Sequence, residues 1–112
     1  MNVAIIGGSA QHLALVDNEL MNLIEESGIY LFNVIGGFIY DYDNNDKPLS
    51  HLWAEYRGLP YYPCKYKDID ELMDKMTQKA DYIVFINDGS QIIKRFIMKF
   101  KMSGKHGSVI NI

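Results

Sequence analysis

The chain has 112 residues, the size of one ordinary domain. Its hydrophobic share of 48% is that of a globular protein and too high for a disordered one, and no apolar run is long enough to span a membrane. A formal net charge of -3 argues against a general nucleic-acid binder, and a lone cysteine, Cys64, excludes an internal disulfide framework and a multi-cysteine zinc site.

Asn2 to Ile6 is a short apolar run that stops at Gly7-Gly8-Ser9, the pattern of a buried strand. Leu13, Val16, Leu20, Leu23 and Ile24 then recur at helical spacing, and Gly28 stands where a helix takes a left-handed terminal residue. Tyr30 to Ile35, aromatic and β-branched, predicts a second strand ending at Gly36-Gly37. The stretch Phe38 to Lys47 mixes turn formers with tyrosines and reads as a loop or a hairpin extension. Pro48 suits the first turn of a second helix, whose apolar face is Leu49, Leu52, Trp53 and Tyr56 and whose end is Gly58.

Leu59 to Cys64 predicts a third strand, and its prolines assign it to a sheet edge. Asp68 with Glu71 forms a capping-box pattern ahead of a third helix, striped by Ile69, Leu72, Met73 and Met76. Tyr82 to Ile86 reads as a strand buried on both faces. Asn87-Asp88-Gly89-Ser90 leads into a fourth helix from about Gln91 to Met102. Gly104 and Gly107 bracket a turn, and Ser108 to Ile112 is the last strand.

Strict strand-helix alternation predicts a single domain over residues 1–112, a three-layer α/β/α Rossmann-like fold. Its sheet has five mostly parallel strands in the order 3-2-1-4-5, with about four helices. In such sheets ligands bind beyond the carboxyl ends of the strands, where the strand order reverses. The expectation is that three glycine-bearing loops gather there: Gly7-Gly8-Ser9, Gly36-Gly37 and Asp88-Gly89-Ser90. Glycine lets a backbone turn tightly and lets a ligand approach it, helix N-termini favour phosphate, and the Ser9 and Ser90 hydroxyls add donors. No G-x-G-x-x-G and no G-x-x-x-x-G-K-[ST] occurs, so neither familiar phosphate motif is present.

The stretch Trp53-Ala54-Glu55-Tyr56-Arg57-Gly58-Leu59-Pro60, followed by an aromatic strand and an acidic-capped helix, resembles the DUF2493 (YspA-like) branch of the SLOG superfamily. That superfamily includes the LOG and DprA proteins. Gly7-Gly8-Ser9, Gly36-Gly37 and Asn87-Asp88-Gly89-Ser90 stand where its members carry their glycine loops, and the likeness covers nearly the whole chain. It implies a Rossmann-like protein that binds nucleotides or nucleotide derivatives, as a sensor, a carrier or a sequestering protein, in the last case one encoded by a phage. The glutamate that follows the Gly-Thr of the LOG hydrolases by three residues is Ile93 here, which weakens hydrolysis more than binding. Asp46 or Lys47 stands near the place of that branch's turn aspartate.

Other residues fill out the candidate set. His12 begins the first helix near the phosphate loop, and His51 lies one turn into the second; His106 sits in a terminal turn. No two histidines have metal-ligand spacing with a carboxylate, so neither metal nor cofactor is expected, and Cys64 reads as a packed thiol. Phe38, Tyr40 and Tyr42 could stack on a base or meet a second subunit. Lys94 and Arg95 could reach a phosphate from the first turns of the fourth helix, or form a solvated face with Lys99, Lys101 and Lys105. The aromatic richness favours a homodimer or higher homo-oligomer. Two further readings stay open. One is a nucleoside-monophosphate N-glycosidic hydrolase using Asp88, Asp46 or Asp41. The other is an interaction protein whose glycines only shape turns. A soluble cytoplasmic protein, without a secretory signal, is expected.

Overall fold

A computed structural model describes residues 1–28, 33–38, 47–65 and 69–112. Five parallel strands form one sheet in the order β3-β2-β1-β4-β5. They are β1 (Asn2–Ile6), β2 (Asn33–Phe38), β3 (Tyr61–Lys65), β4 (Tyr82–Asn87) and β5 (His106–Asn111). Four helices are described: α1 (Leu13–Ser27), α2 (Leu49–Arg57), α3 (Ile69–Lys79) and α4 (Gln91–Ser103), and a 3₁₀ turn (Ala10–His12) leads into α1. This is the expected order, and the proline-bearing β3 lies at an edge as predicted. Among the described residues no helix is long and apolar enough to cross a membrane.

The strands are apolar at consecutive positions because both faces of the sheet are covered. Successive side chains point to opposite faces. Val3, Ile5, Val34, Val84 and Ile86 therefore meet Val16 and Leu20 of α1 and Leu49, Trp53 and Ala54 of α2. Ala4, Ile6, Ile35, Ile83 and Phe85 meet Leu72, Met73 and Met76 of α3 and Ile93, Phe96 and Phe100 of α4. Phe85 anchors the second layer, with its ring 5.4 Å from that of Phe96 and 5.2 Å from that of Phe100. Burying a side chain of this size contributes about 2–3 kcal/mol. The two apolar layers fix the sheet, and the sheet fixes where the loops emerge.

Two glycine readings need correction. β2 does not stop at Gly36-Gly37: both lie inside the strand, in register with Pro63 and Cys64. Gly36 is there for space. A Cβ on it would lie 1.8 Å from the Tyr61 Oη and 2.7 Å from the Ser50 Oγ. Gly107 likewise belongs to β5 and not to a turn, because a Cβ there would sit 2.6 Å from the Phe100 ring. Gly104 does end α4 in the left-handed region, as Gly28 and Gly58 end α1 and α2. The expected Asp68 cap, the start of the second strand at Tyr30, and Tyr40, Asp41, Tyr42 and Asp46 lie outside the described residues.

Candidate functional site

Strand order reverses between β1, which continues through β2 to β3, and β4, which continues to β5. The chain leaves β1 at this point through Gly7 (φ +85°) and Gly8 (φ +78°). Two successive left-handed residues are strained for anything but glycine. The turn is also wedged. A Cβ on Gly7 would lie 2.9 Å from the Ile86 carbonyl oxygen and 3.2 Å from Ile93 in the first turn of α4. One on Gly8 would lie 2.8 Å from Leu49 in the first turn of α2 and 3.0 Å from Ile86. The Gly7-Gly8 turn is thus the meeting point of the end of β4 and the starts of α2 and α4, while both glycines keep an exposed side.

Ser9 precedes the 3₁₀ turn in extended conformation. Its N–H donates to the His12 Nδ1 at 3.0 Å. That bond requires an unprotonated Nδ1, so a neutral His12 carries its proton on Nε2. His12 therefore braces the loop, and its Nε2 lies 3.4 Å from the Gln11 side-chain nitrogen.

The loop after β4 is built from two successive side-chain turns. The Gly89 N–H donates to the Asn87 Oδ1 at 3.0 Å, and the Ser90 N–H donates to the Asp88 Oδ1 at 2.9 Å. Short polar side chains commonly close turns this way. Ser90 caps α4, its Oγ accepting from the Ile93 N–H at 3.4 Å. The Ser90 amide and hydroxyl hold the Asp88 carboxyl below its ordinary range. An ionised carboxylate consequently already occupies the positive end of α4.

The structure brings Gly7, Gly8, Ser9, His12, Asp88, Gly89 and Ser90 to the carboxyl end of the β1–β4 pair. It does not bring a glycine loop from β2, since Gly36 and Gly37 are strand residues. Lys47, two residues ahead of α2, contacts the Glu55 Oε1 at 2.5 Å. That hydrogen bond chiefly, with the attraction of its charge, holds the Glu55 carboxyl below the usual range. His51 does not face the Gly7-Gly8 turn: its ring stacks on Tyr61 at 4.5 Å, and its Nε2 lies 3.2 Å from the Glu55 Oε1. Arg95 is drawn sideways to Asp70 of α3 at 2.8 Å, and Lys99 to Asp74 at 2.6 Å. His106 opens β5, at the opposite end of the strands from the rim. Among the described residues no three His, Cys, Asp or Glu side chains are grouped to hold a metal ion.

Two polar clusters escaped the sequence reading. Ser50 is 2% exposed, and its Oγ lies 3.0 Å from the Tyr61 Oη over Gly36. Its spacing from Trp53 and Ala54, three and four residues on, is the signal that it faces inward. Asp17 of α1 accepts from the buried Trp53 Nε1 at 3.0 Å, from the Arg57 Nε at 2.7 Å and from the Arg57 Nη2 at 2.7 Å. The tryptophan and arginine of the Trp53–Pro60 stretch thus have a structural task, tying α2 to α1. No protein-family model matches the chain, and a search of the curated proteins finds no match.

Proposed function

We propose that the chain is a binding module for a phosphate-bearing small molecule derived from a nucleotide, acting as a sensor, a carrier or a sequestering protein. The observation that carries this reading is the left-handed Gly7-Gly8 turn at the strand-order reversal, between the first turns of α2 and α4. Backbone approach to an anion needs residues without side chains, and helix starts supply positive potential. Ser9 stands beside the turn with a hydroxyl, whereas the Ser90 hydroxyl is engaged by Asp88. The likeness of the glycine pattern to the SLOG superfamily supports the same class of ligand. The aromatic richness supports a homo-oligomer, and the composition fits the cytoplasm.

The anion site in this reading is the Gly7-Gly8 turn and not the start of α4. The Gly89 and Ser90 amides are engaged by Asn87 and Asp88, and the Asp88 charge repels a second anion. The same engagement favours a second reading, an interaction domain whose glycines only shape the chain. Hydrolysis is less well supported. Asp88 is held in its ionised form, which suits it to stabilise positive charge on a ribose but not to donate a proton.

Isothermal calorimetry of the chain against nucleoside phosphates, cyclic dinucleotides and ADP-ribose derivatives tests the proposal. At least one ligand is expected to bind and to be recovered unchanged, with Gly8→Val lowering its affinity at least tenfold. If nothing binds more tightly than about 1 mM, roughly -4 kcal/mol, the binding reading fails and the interaction reading replaces it. Release of free base from a nucleoside monophosphate would move the protein to the hydrolase class.

A further inference from the structure

The sheet has two edges, and the sequence treats them differently. β3 has Pro63 in its interior and Pro60 just before it. Proline cannot donate to a further strand, so this edge is blunted. Among the described residues β5 forms the other edge and pairs with β4 alone. Its residues, His106–Asn111, include no proline, lysine, arginine or carboxylate, the usual guards of an open edge.

Register decides which backbone groups stay open. Asn87 pairs with Asn111, and the Ile112 N–H donates to the Asn87 carbonyl at 3.2 Å. In a parallel ladder this bond turns the backbone of alternate residues, Ser108, Ile110 and Ile112, toward β4. The N–H and C=O groups of Gly107, Val109 and Asn111 therefore point away from the sheet. These positions are symmetric about Val109. An antiparallel copy of β5 laid alongside pairs Val109 with the partner's Val109, and Gly107 with the partner's Asn111. Each outward residue then falls at a hydrogen-bonded position, and two five-stranded sheets become one.

Charge agrees with that arrangement. Lys105, exposed and just ahead of β5, comes level with the loop that carries the partner's Asp88. They are two strands apart, about 10 Å between backbones, which a lysine and an aspartate can span together. The two-fold axis repeats the pair at the other end, and no like charges face each other along the strands. The competing face is the groove of about 660 Å³ between α3 and α4, with Met73, Met98 and Met102 in its lining. There, Asp70 and Asp74 are already paired within the chain.

We infer that β5 is a homodimer interface: its outer edge pairs antiparallel with β5 of a second copy about a two-fold axis at Val109, and Lys105 reaches the loop of the partner's Asp88. The inference rests on the homo-oligomeric part of the proposed function and not on its anion site.

Sedimentation of the full chain over a range of concentrations tests it. A reversible dimer is expected. Val109→Pro removes an outward N–H that β4 does not use, and should raise the dimer dissociation constant at least tenfold while the circular dichroism is unchanged. Lys105→Glu should raise it by a smaller factor. In a Cys64→Ser background, Val109→Cys should form a disulfide-linked dimer on mild oxidation. Hydrogen-bonded antiparallel partners have Cα atoms about 5.5 Å apart, within the range for a disulfide. Met98→Cys, in the groove, should not cross-link. A chain that stays monomeric, a dimer indifferent to Val109→Pro, or cross-linking through Met98→Cys instead would overturn the inference. If Val109→Pro fails to fold, the two cysteine variants decide it. Nucleotide calorimetry is independent of these readings, so a failed interface and a failed anion site are distinguishable.

Discussion

Replacing Asp17 with alanine tests whether the α1–α2 tie holds the molecule together. The Asp17 side chain is 16% exposed and that of Arg57 35%, whereas Trp53 is fully buried. The substitution removes the acceptor of a buried indole N–H, a loss of about 1–3 kcal/mol. Losing the solvent-screened bidentate pair with Arg57 adds a smaller loss. A loss of about 1–3 kcal/mol follows, or roughly a 4–13 °C fall in Tm for a domain of this size. Arg57→Ala leaves the indole bond in place and should cost clearly less than Asp17→Ala, because the pair is screened by solvent. The pH dependence has a fixed sign. The Arg57 hydrogen bonds chiefly hold the Asp17 carboxyl below its ordinary range, against a smaller opposing effect of burial. Its charged form therefore stabilises the fold fully above the unfolded pKa of about 3.9, and that contribution is lost as pH falls through the lower folded value. Urea unfolding at pH 7 and at pH 3 measures both. An Asp17→Ala loss below about 0.5 kcal/mol, an Arg57→Ala loss exceeding it, or a difference from wild type that grows at pH 3 would refute the reasoning.

Gly36→Ala should cost about 2–3 kcal/mol in urea unfolding, because its Cβ would collide with the Tyr61 hydroxyl and with Ser50. Gly89→Ala meets nothing within 4 Å and should cost only the left-handed strain at φ +84°, about 1 kcal/mol. If the two costs come out reversed, strand packing is not what selects Gly36. Asp88→Asn keeps an acceptor for the Ser90 amide but removes the rim's negative charge, so calorimetry should show several-fold tighter binding of a phosphate ligand. A weaker affinity would mean that Asp88 itself contacts the ligand. Leu20→Ala, at a fully buried site in the α1 layer, should cost about 2–5 kcal/mol by the same unfolding assay.

The fold was legible where one sequence pattern has one structural solution. Tyr82 to Ile86 is apolar at consecutive positions because Val84 and Ile86 meet one helical layer while Ile83 and Phe85 meet the other. Leu59 to Cys64 declared an edge because Pro63 has no N–H to give a neighbour on its far side. Glycine is ambiguous by comparison. At Gly7 and Gly8 it supplies a left-handed turn, but at Gly36 and Gly107 it makes room for Tyr61 and Phe100 in an extended strand. Telling these uses apart requires the ring across the strand, and that ring arrives from elsewhere in the sequence. Asp17 was unreadable for the same reason: Trp53 and Arg57 lie 36 and 40 residues away. Ser50 was half-readable, since helical spacing turns it inward beside Trp53 while its partner Tyr61 comes from β3.

The occupied amides also constrain how any ligand would be held. Nature's glycine-rich phosphate loops leave several N–H groups in a row for the anion, as helix starts do. Here Ser9, Gly89 and Ser90 spend theirs on His12, Asn87 and Asp88. Of the nearby cations, Lys47 is committed to Glu55 and Arg95 to Asp70, while Lys94 in the first turns of α4 keeps an exposed side chain. A phosphate at Gly7-Gly8 would meet neutral backbone donors more than fixed positive charge. Screening by salt acts on separated full charges far more than on hydrogen bonds at contact distance. Affinity at this turn should therefore fall only modestly between low and physiological ionic strength. A steep fall would instead require a lysine or arginine on the phosphate, and Lys105 supplied across the β5 edge is the cation that the dimer would bring toward the rim.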